Sequence, residues 1–351
     1  MLLCHEGFDH EAGYADMARH SGAVTWSAGT NGFVTGRDGL GRALTTRAGL
    51  VTATLASRLM SQFCGFAWRL DGTCTLSIGD SVAGAMQAVI TFGGVHHDVS
   101  LTIDGTVVWT SAADLWLSGG WYFIEVWPVI AASGGSVTLR INDGNILSHC
   151  YSGKTQVTAN AVWDSITWDG SASTGDSPVD DFYACDTAKA SGYCGCNSFL
   201  GDTRTLSVFA IGTDAAGWIP GVPSDEDIFP ALSANANWQQ VCETALDNSR
   251  FNASGTVGAE DRFNFAPFPN YLGAVLAATV VTALQGNGNA TAAVAPLLAM
   301  GGAKSYAASH IPAVSGYVYT QDQWTKAPDG SLLTLMGLNA VAAGYRLQAL
   351  G

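Results

Sequence analysis

Short alternating segments separated by glycine turns recur through the first half of the chain. The segments FCGFAWRL (63–70) and CTLSIG (74–79) flank an Asp-Gly pair, and WYFIEVWPVI (121–130) is followed by SVTLRI (136–141). Alternation sends successive side chains to opposite faces of a strand, and an Asp-Gly pair between two such segments signals a β-hairpin. The pattern predicts an antiparallel β-sandwich or jelly roll over the first 185 residues.

The remainder of the chain divides into a loop-rich stretch and a second set of strands. Residues 203–268 are rich in Gly, Pro, Asn and Asp, and they contain one predicted short helix, NWQQVCETAL, with Asn237 as its N-cap. Further on, SLLTLMGLNAVAAG (331–344) predicts a helix that is capped by Ser331 and ends at Gly344, and a strand, YRLQAL, follows it. We therefore predict three parts: a jelly roll over residues 1–190, a loop-rich connector over 191–268, and a smaller β-rich C-terminal module with one short helix over 269–351.

The charge and hydropathy of the chain argue against two classes of partner. Asp and Glu outnumber Lys and Arg by 29 to 15, and the net charge of −14 repels a phosphate backbone, so nucleic-acid binding is not expected. The longest apolar run, AVLAATVVTAL (274–284), is too short to span a bilayer and is expected to be a buried strand. Because the first six residues, MLLCHE, already include His and Glu, no signal peptide is predicted. We expect a soluble chain that is made in a cytoplasm and has no membrane partner.

Several motifs follow one another in an order that is typical of a known group of proteins. They are GFD at 7–9, TGRDGLGRAL at 35–44, SLTIDGTVVW at 100–109, VDDFYACDTAKAS and NSFLGDTRT between 179 and 205, and DQWTKAPDGSLLTLMGLNAVAAG at 322–344. In this order they resemble the concanavalin A-like (laminin-G-type) jelly-roll proteins among the virion proteins of tailed bacteriophages. Where that family has two Asn residues before its FLGD motif, this chain has Cys196-Asn197-Ser198.

The resemblance implies a non-enzymatic structural protein of the virion. Such a chain would belong to the tail, collar, fibre or decoration of the particle, would contact other virion proteins, and would form a homo-oligomer. The alternative is a receptor-recognition protein on a tail appendage that binds host surface glycans. The state of the tryptophans discriminates between the two, because exposed ones can stack on sugar rings, whereas buried ones belong to the packing of a scaffold.

Three cysteines in the stretch 179–205 form a candidate disulfide or thiol cluster. They are Cys185, Cys194 and Cys196. Structural zinc sites use paired Cys-x-x-Cys or Cys/His sets, so a single Cys-x-Cys disfavours zinc. A disulfide, within the chain or between subunits, is favoured over zinc, and reduced thiols are the default in a cytoplasm. No cofactor is predicted, with Ca²⁺ and Zn²⁺ as the alternatives.

Four charged residues of the same stretch are candidates for contacts between the modules: Asp180, Asp181, Asp202 and Arg204. Asp180 and Asp181 are expected to end the last strand of the jelly roll. Asp202 and Arg204 are two apart, so in an extended strand they share a face and can pair with each other or with a neighbour. We interpret the whole stretch as a seam between structural modules rather than a catalytic loop.

Other polar motifs do not predict catalysis. His5 and His10 are five apart, a spacing that takes them off a common helix face, and Gly7 disfavours a helix. The spacing of Glu6, Asp9 and Glu11 breaks the alternation that would point carboxylates into one sugar-binding cleft. The His-His-Asp run at 96–98 is expected to be a polar turn. No catalytic residue is therefore predicted.

Overall fold

Antiparallel strands dominate the chain in the computed structural model. The structure describes residues 2–8, 20–21, 24–37, 41–187, 198–205, 208, 210–215, 217, 219–221, 251–268, 274–286, 291–312, 314 and 317–350. The chain divides into two units, residues 1–18 with 23–206 and residues 19–22 with 207–351. Each unit has its own sheets and its own buried apolar cluster.

The strands of the first unit are short and closely spaced along the chain. With β2 of the second unit included at its place, they are β1 (Leu2–Glu6), β2 (His20–Ser21), β3 (Val24–Ser27), β4 (Phe33–Thr35), β5 (Arg42–Leu44), β6 (Val51–Leu59), β7 (Gln62–Leu70), β8 (Cys74–Asp80), β9 (Ala85–Phe92), β10 (Val99–Ile103), β11 (Thr106–Thr110), β12 (Gly120–Val129), β13 (Gly135–Ile141), β14 (Leu147–Gly153), β15 (Trp163–Asp169) and β16 (Val179–Asp186). A 3₁₀ turn at Asn142–Gly144 lies between β13 and β14.

Two antiparallel sheets make up the first unit. One has eight strands in the order β14-β13-β12-β7-β16-β5-β4, with β1 paired to β16 off this path. The other has seven strands in the order β11-β10-β9-β8-β15-β6-β3. Alternate residues of both sheets meet in one apolar core that contains Phe66, Trp68 and Trp168. This is the concanavalin A-like jelly-roll sandwich that the sequence predicted.

The hairpin between β10 and β11 shows why the Asp-Gly signals mark turns. Ile103 pairs with Thr106, so the loop consists of Asp104 and Gly105 alone. Both have positive φ, 52° and 70°. A two-residue turn with positive φ at both positions has the twist that antiparallel strands require, and Asp followed by Gly adopts it at little cost.

In its described residues, the second unit contains the remaining strands and one short helix. The strands are β17 (Ala210–Ala215), β18 (Ile219–Gly221), β19 (Phe251–Ala253), β20 (Glu260–Phe265), β21 (Ala278–Leu284), β22 (Ala293–Met300), β23 (Ala303–Tyr306), β24 (Val318–Trp324) and β25 (Ala342–Ala349), and the helix is α1 (Leu335–Leu338). They form a five-stranded sheet in the order β17-β20-β25-β22-β23, a three-stranded sheet β2-β24-β21 and the pair β18-β19. Phe263, Val294 and Leu347 are among the residues that fill the core of the five-stranded sheet.

The division between the units lies near residue 206, not at the predicted boundary of 190. Two strands from the predicted connector, β17 and β20, belong to the five-stranded sheet, where β20 pairs with β25. The helix predicted after Asn237 lies outside the described residues.

The prediction of a helix over residues 331–344 was wrong in extent. Helix α1 has four residues, and Thr334 rather than Ser331 caps it, with its side chain accepting a hydrogen bond from the Gly337 N–H. Beyond it the chain becomes β25, which pairs with β20 on one side and β22 on the other. Gly344 ends no helix: a Cβ there would collide with the carbonyl oxygen of Asp261 in β20. Pairing on both sides therefore overrides the local helical preference.

Among the described residues, none of the helices is long and apolar enough to cross a membrane.

Candidate functional site

The central strands of the eight-stranded sheet are buried on both faces. In β7, the side chains of Phe66 and Trp68 point into the core of the sandwich. On the opposite face, which we call the outer face, Phe63 contacts Tyr183 of β16, and Tyr183 stacks on Phe123 of β12, with ring centroids 6.3 Å and 6.2 Å apart. All three outer-face rings are buried. A second layer must therefore cover this face of the sheet.

Residues 198–205, which we call the strap, form part of that layer. The ring of Phe199 packs against Phe63 and Trp127, at centroid distances of 5.8 Å and 5.9 Å. The guanidinium of Arg140 lies 5.1 Å from the centroid of the Phe199 ring, in a cation–π arrangement. Phe199 of the FLGD motif thus anchors the strap to the sheet.

Below the strap, a buried carboxylate meets a buried phenol. The Tyr183 hydroxyl donates to Glu125 Oε1 at 2.5 Å, and the Gly201 N–H donates to the same oxygen at 2.8 Å. The Leu200 N–H donates to the Tyr183 oxygen at 3.2 Å. Glu125 has no exposed surface. Burial raises its pKa against the opposing effects of the Tyr183 hydroxyl, the Gly201 N–H and the Arg140 charge. Two successive N–H groups of the strap therefore complete a hydrogen-bonded pair within the sheet.

Two glycines lie beside this contact, and each is needed for a different reason. The ring of Tyr183 lies directly over Gly65, and a Cβ on Gly65 would collide with it. Gly201 has φ +82°, a conformation that side chains rarely adopt. Both glycines are thus required by the way in which the strap and the Tyr183 ring fit the sheet.

Asp180 and Asp181 lie at the beginning of β16, so the prediction that they end this strand was wrong, and they form a β-bulge there. The register with β7 shifts between Asp180 and Tyr183, and Asp181 has φ 52°. One Asp180 oxygen accepts from the Asp181 N–H at 2.8 Å, and the other accepts from the Arg37 N–H at 3.0 Å. The side chain of Asp180 thus stabilises the bulge. A β-bulge bends its strand locally and so changes the direction in which the neighbouring side chains point.

Arg37 and Arg204 converge on the carboxylates at the end of the strap. The two terminal nitrogens of Arg37 bind the two oxygens of Asp202 at 2.7 Å and 2.6 Å, a bidentate pair. Arg37 and Arg204 each lie near Asp181, at 3.7 Å and 3.5 Å. The Thr205 N–H donates to Asp181 Oδ1 at 2.8 Å. Burial raises the pKa of Asp181 to about 6, although the Thr205 N–H and the two arginines oppose the rise.

The structure thus brings together all four predicted charged residues, Asp180, Asp181, Asp202 and Arg204. The contacts described for them join parts of the first unit, so a role between modules stays a prediction. Sequence reasoning missed the residues that complete the cluster, Arg37, Glu125, Arg140 and Tyr183. All four lie in motifs or segments singled out in the sequence. Arg37 lies in TGRDGLGRAL and Tyr183 in VDDFYACDTAKAS, while Glu125 and Arg140 are the one charged residue in WYFIEV and in SVTLRI respectively.

The predicted cysteine cluster is described only in part. Cys185 is buried in β16. Cys194 and Cys196 lie outside the described residues. The disulfide or thiol cluster therefore stays a prediction.

The burial of the tryptophans was expected to discriminate a structural protein from a glycan-binding one, and the described tryptophans are buried or half-buried. The buried members are Trp26, Trp68, Trp116, Trp163, Trp168 and Trp324. Trp109, Trp121 and Trp127 are half-buried, and Trp218 and Trp238 lie outside the described residues. Among the described tryptophans, none is largely exposed, and the three half-buried ones keep some accessible surface.

Comparisons with known proteins found distant likenesses among solved structures. No family model matches the chain, and no curated protein matches it. Among solved structures, lectin II from Ulex europaeus is 12% identical, with 53% of this chain and 99% of that chain covered and a TM-score of 0.35. The metal-free exoplasmic/lumenal domain of VIP36 is 10% identical, with coverages of 53% and 93% and a TM-score of 0.35. A protein of unknown function from Shewanella oneidensis MR-1 is 10% identical, with coverages of 54% and 89% and a TM-score of 0.36. These likenesses are too distant to support a function, and the sandwich is assigned from the order of its strands.

Proposed function

We propose that the chain is a non-enzymatic structural component of a tailed-bacteriophage virion that acts through protein–protein contacts. The observation that carries the proposal is that the chain's own strap covers Glu125 and Asp181 on the outer face. The motif with the strongest resemblance to virion proteins therefore supports the architecture of the sheet. The virion context itself comes from the order of the sequence motifs.

The geometry of the strap favours structure over catalysis. A general acid or base must reach the proton that it transfers, yet Glu125 is fully buried and Asp181 is 4% exposed. Each of these carboxylates accepts a hydrogen bond from a backbone N–H of the strap. Substrate access to either would require the strap to leave the sheet.

The exposed apolar side chains also fit protein contacts better than sugar contacts. Among the described residues, the large exposed apolar side chains are aliphatic or methionine, apart from Tyr306, which is 37% exposed. Sugar rings stack on aromatic faces, whereas aliphatic side chains contribute buried area at protein interfaces.

The test is the protein composition of particles purified from the virus that encodes the chain. We expect mass spectrometry to find the chain in banded particles at a copy number that matches the symmetry of its position, and cryo-electron microscopy to show both units in that layer. A chain that is abundant in the lysate but absent from banded particles would overturn the proposal.

Glycan binding is a second candidate. The observation that favours it is the carboxylate of Asp71, which lies where the β7–β8, β11–β12 and β15–β16 loops meet. Asp71 Oδ1 accepts from the hydroxyls of Ser118 and Thr174, both at 2.8 Å. These hydrogen bonds lower the pKa of Asp71, so it remains an ionised acceptor. On a glycan array we expect any binding to be lost in Asp71→Asn and kept in Asp104→Asn, a matched change in the β10–β11 turn. Absence of binding by the unaltered chain would eliminate this candidate.

A further inference from the structure

One edge of the eight-stranded sheet is long and regular. Strand β14 pairs with β13 from Gly153↔Gly135 to Leu147↔Ile141 without a register shift. At the other end of the sheet, β4 has three residues. No strand of the described chain pairs with the outer side of β14. The backbone N–H and C=O groups along that side are thus placed to pair with another strand.

This edge lacks the features that usually prevent edge-to-edge pairing. Exposed edges are commonly protected by charged side chains, by proline or by a bulge, and the sequence of β14, LSHCYSG, has no Asp, Glu, Lys, Arg or Pro. His149 stacks on Trp109 of β11 at a centroid distance of 3.9 Å and an interplanar angle of 10°. Burial lowers the pKa of His149, so its ring is neutral near pH 7.

The side chains of β14 alternate between the core and the solvent, and those that face the solvent are small. Leu147 and Tyr151 pack against the core of the sandwich. Ser148, Cys150 and Ser152 are exposed. The flanking charges are engaged elsewhere, since Arg140 lies 3.7 Å from Glu125 and Lys154 lies 3.6 Å from Asp104. A second strand that approaches the edge of β14 therefore meets neither large side chains nor unpaired charges of β14 itself.

We propose that β14 pairs antiparallel with β14 of a second copy of this chain, about a two-fold axis at Cys150. Cys150 is the midpoint of the strand, so this register places Ser148 opposite Ser152 of the second copy. An antiparallel edge is self-complementary under a two-fold rotation, because each copy offers the same row of donors and acceptors. With a net charge of −14, two copies repel each other less at an uncharged edge than at charged parts of their surfaces. The inference deepens the proposed structural role by naming the chain itself as one partner.

Two matched double variants test the register. In S148E/S152E, the new carboxylate at position 148 faces the new carboxylate at 152 of the second copy. In S148E/S152K, the same position faces an ammonium group instead. Within one copy, position 148 faces Arg140 and position 152 faces Ser136 in both variants, so the effects on the fold are closely matched. We expect S148E/S152E to weaken dimer formation roughly tenfold or more relative to S148E/S152K.

The measurement is sedimentation velocity of the full chain over a dilution series from about 100 µM to about 1 µM, because a single strand pair buries little area. A dimer that weakens in S148E/S152E and persists in S148E/S152K supports the proposal. A wild-type chain that stays monomeric throughout the series, or equal affinities of the two variants, would overturn it.

Cys150 offers an independent readout of the same register. Residues directly opposite in antiparallel strands have Cα atoms about 4.5–5.5 Å apart, within the range that a disulfide spans. Oxidation with diamide, which takes up the two protons and two electrons that two thiols release, is expected to join Cys150 to Cys150 of the second copy. Mass spectrometry should identify that linked peptide, and it should disappear in Cys150→Ser. A linkage through other cysteines only would contradict the register.

The outcomes separate this inference from the proposed function. A chain that is present in particles but monomeric in solution keeps its structural role and loses the β14 pairing. A dimer of a chain that is absent from particles keeps the pairing and loses the virion role.

Discussion

Asp181 in the eight-stranded sheet and Asp80 in the seven-stranded sheet are both buried beside arginine, and their pKa values shift in opposite directions. In the eight-stranded sheet, Asp181 lies 3.7 Å and 3.5 Å from Arg37 and Arg204, and its pKa is raised. In the seven-stranded sheet, Asp80 contacts Arg58 at 2.5 Å, and its pKa is lowered. The sign of the shift therefore does not follow from burial beside arginine alone.

The number of donors within hydrogen-bond distance explains the difference. Burial by itself would raise the pKa of Asp80, but Asn160, Arg58 and the Ala83 N–H donate to its carboxylate and reverse the effect. Asp181 accepts from the Thr205 N–H. Its distances to Arg37 and Arg204, 3.7 Å and 3.5 Å, are longer than those from the donors to Asp80. Desolvation therefore prevails at Asp181, and hydrogen bonding prevails at Asp80.

The largest expected effect is the loss of the Asp80 carboxylate. Asp80→Ala leaves Asn160 and two backbone N–H groups without their acceptor and removes the closest partner of Arg58. We expect the free energy of unfolding to fall by about 3–5 kcal/mol. Chemical unfolding followed by tryptophan fluorescence measures this.

Asp80→Asn is the matched control, because it keeps the shape of the side chain and one acceptor oxygen. Its cost should be smaller, about 1–2 kcal/mol. If the alanine variant lost less stability than the asparagine variant, the ordering by number of lost acceptors would be contradicted.

The second expected effect is a pH dependence that distinguishes the clusters. Asp181 has a folded-state pKa of about 6, above its ordinary value of 3.8. A raised pKa means that the folded state binds the extra proton, so this contribution to stability is complete below pH 3.8 and is lost as the pH rises through about 6. For Asp80, whose pKa is lowered, the contribution is present above 3.8 and is lost on acidification.

Asp181→Asn isolates this contribution, because Asp202, Arg37 and Arg204 are present in both proteins. The stability advantage of the unaltered chain over the variant should decrease by at most about 3 kcal/mol between pH 4 and pH 7. Unfolding titrations at both pH values measure the change. An advantage that grows with pH over this interval would show that the arginines, rather than burial, dominate at Asp181.

The inner face of the sandwich could be predicted from the sequence, whereas the outer face could not. Alternation in FCGFAWRL identifies strands, but a strand that is buried on both faces has no polar side to show where a second layer lies. The Arg37–Asp202 pair spans 165 residues, and no local pattern specifies such a contact. The motif VDDFY pointed to Asp180 and Asp181 through its place in the series of family-like motifs, and the periodicity of its residues gave no such indication.

The smallest expected effect separates local opening of the strap from global unfolding. Gly201→Ala and Gly29→Ala both place a side chain at positive φ, +82° and +57°, and each should lower stability by about 1 kcal/mol. Gly201 lies in the strap, whereas Gly29 lies in the turn after β3. In Gly201→Ala, we expect hydrogen exchange of the Leu200 and Thr205 amides to accelerate roughly fivefold to tenfold.

The amides of Val82 and Ala83, which donate to Asp80, provide the comparison within the same protein. They should exchange at nearly the rate of the unaltered chain in Gly201→Ala, because the Asp80 cluster is closed by a turn directly attached to its own strand. The strap, in contrast, is held through Phe199 and a few hydrogen bonds to distant strands. Equal acceleration of both pairs of amides would mean that the two clusters open together, and the strap would then be as cooperative a part of the sandwich as its core.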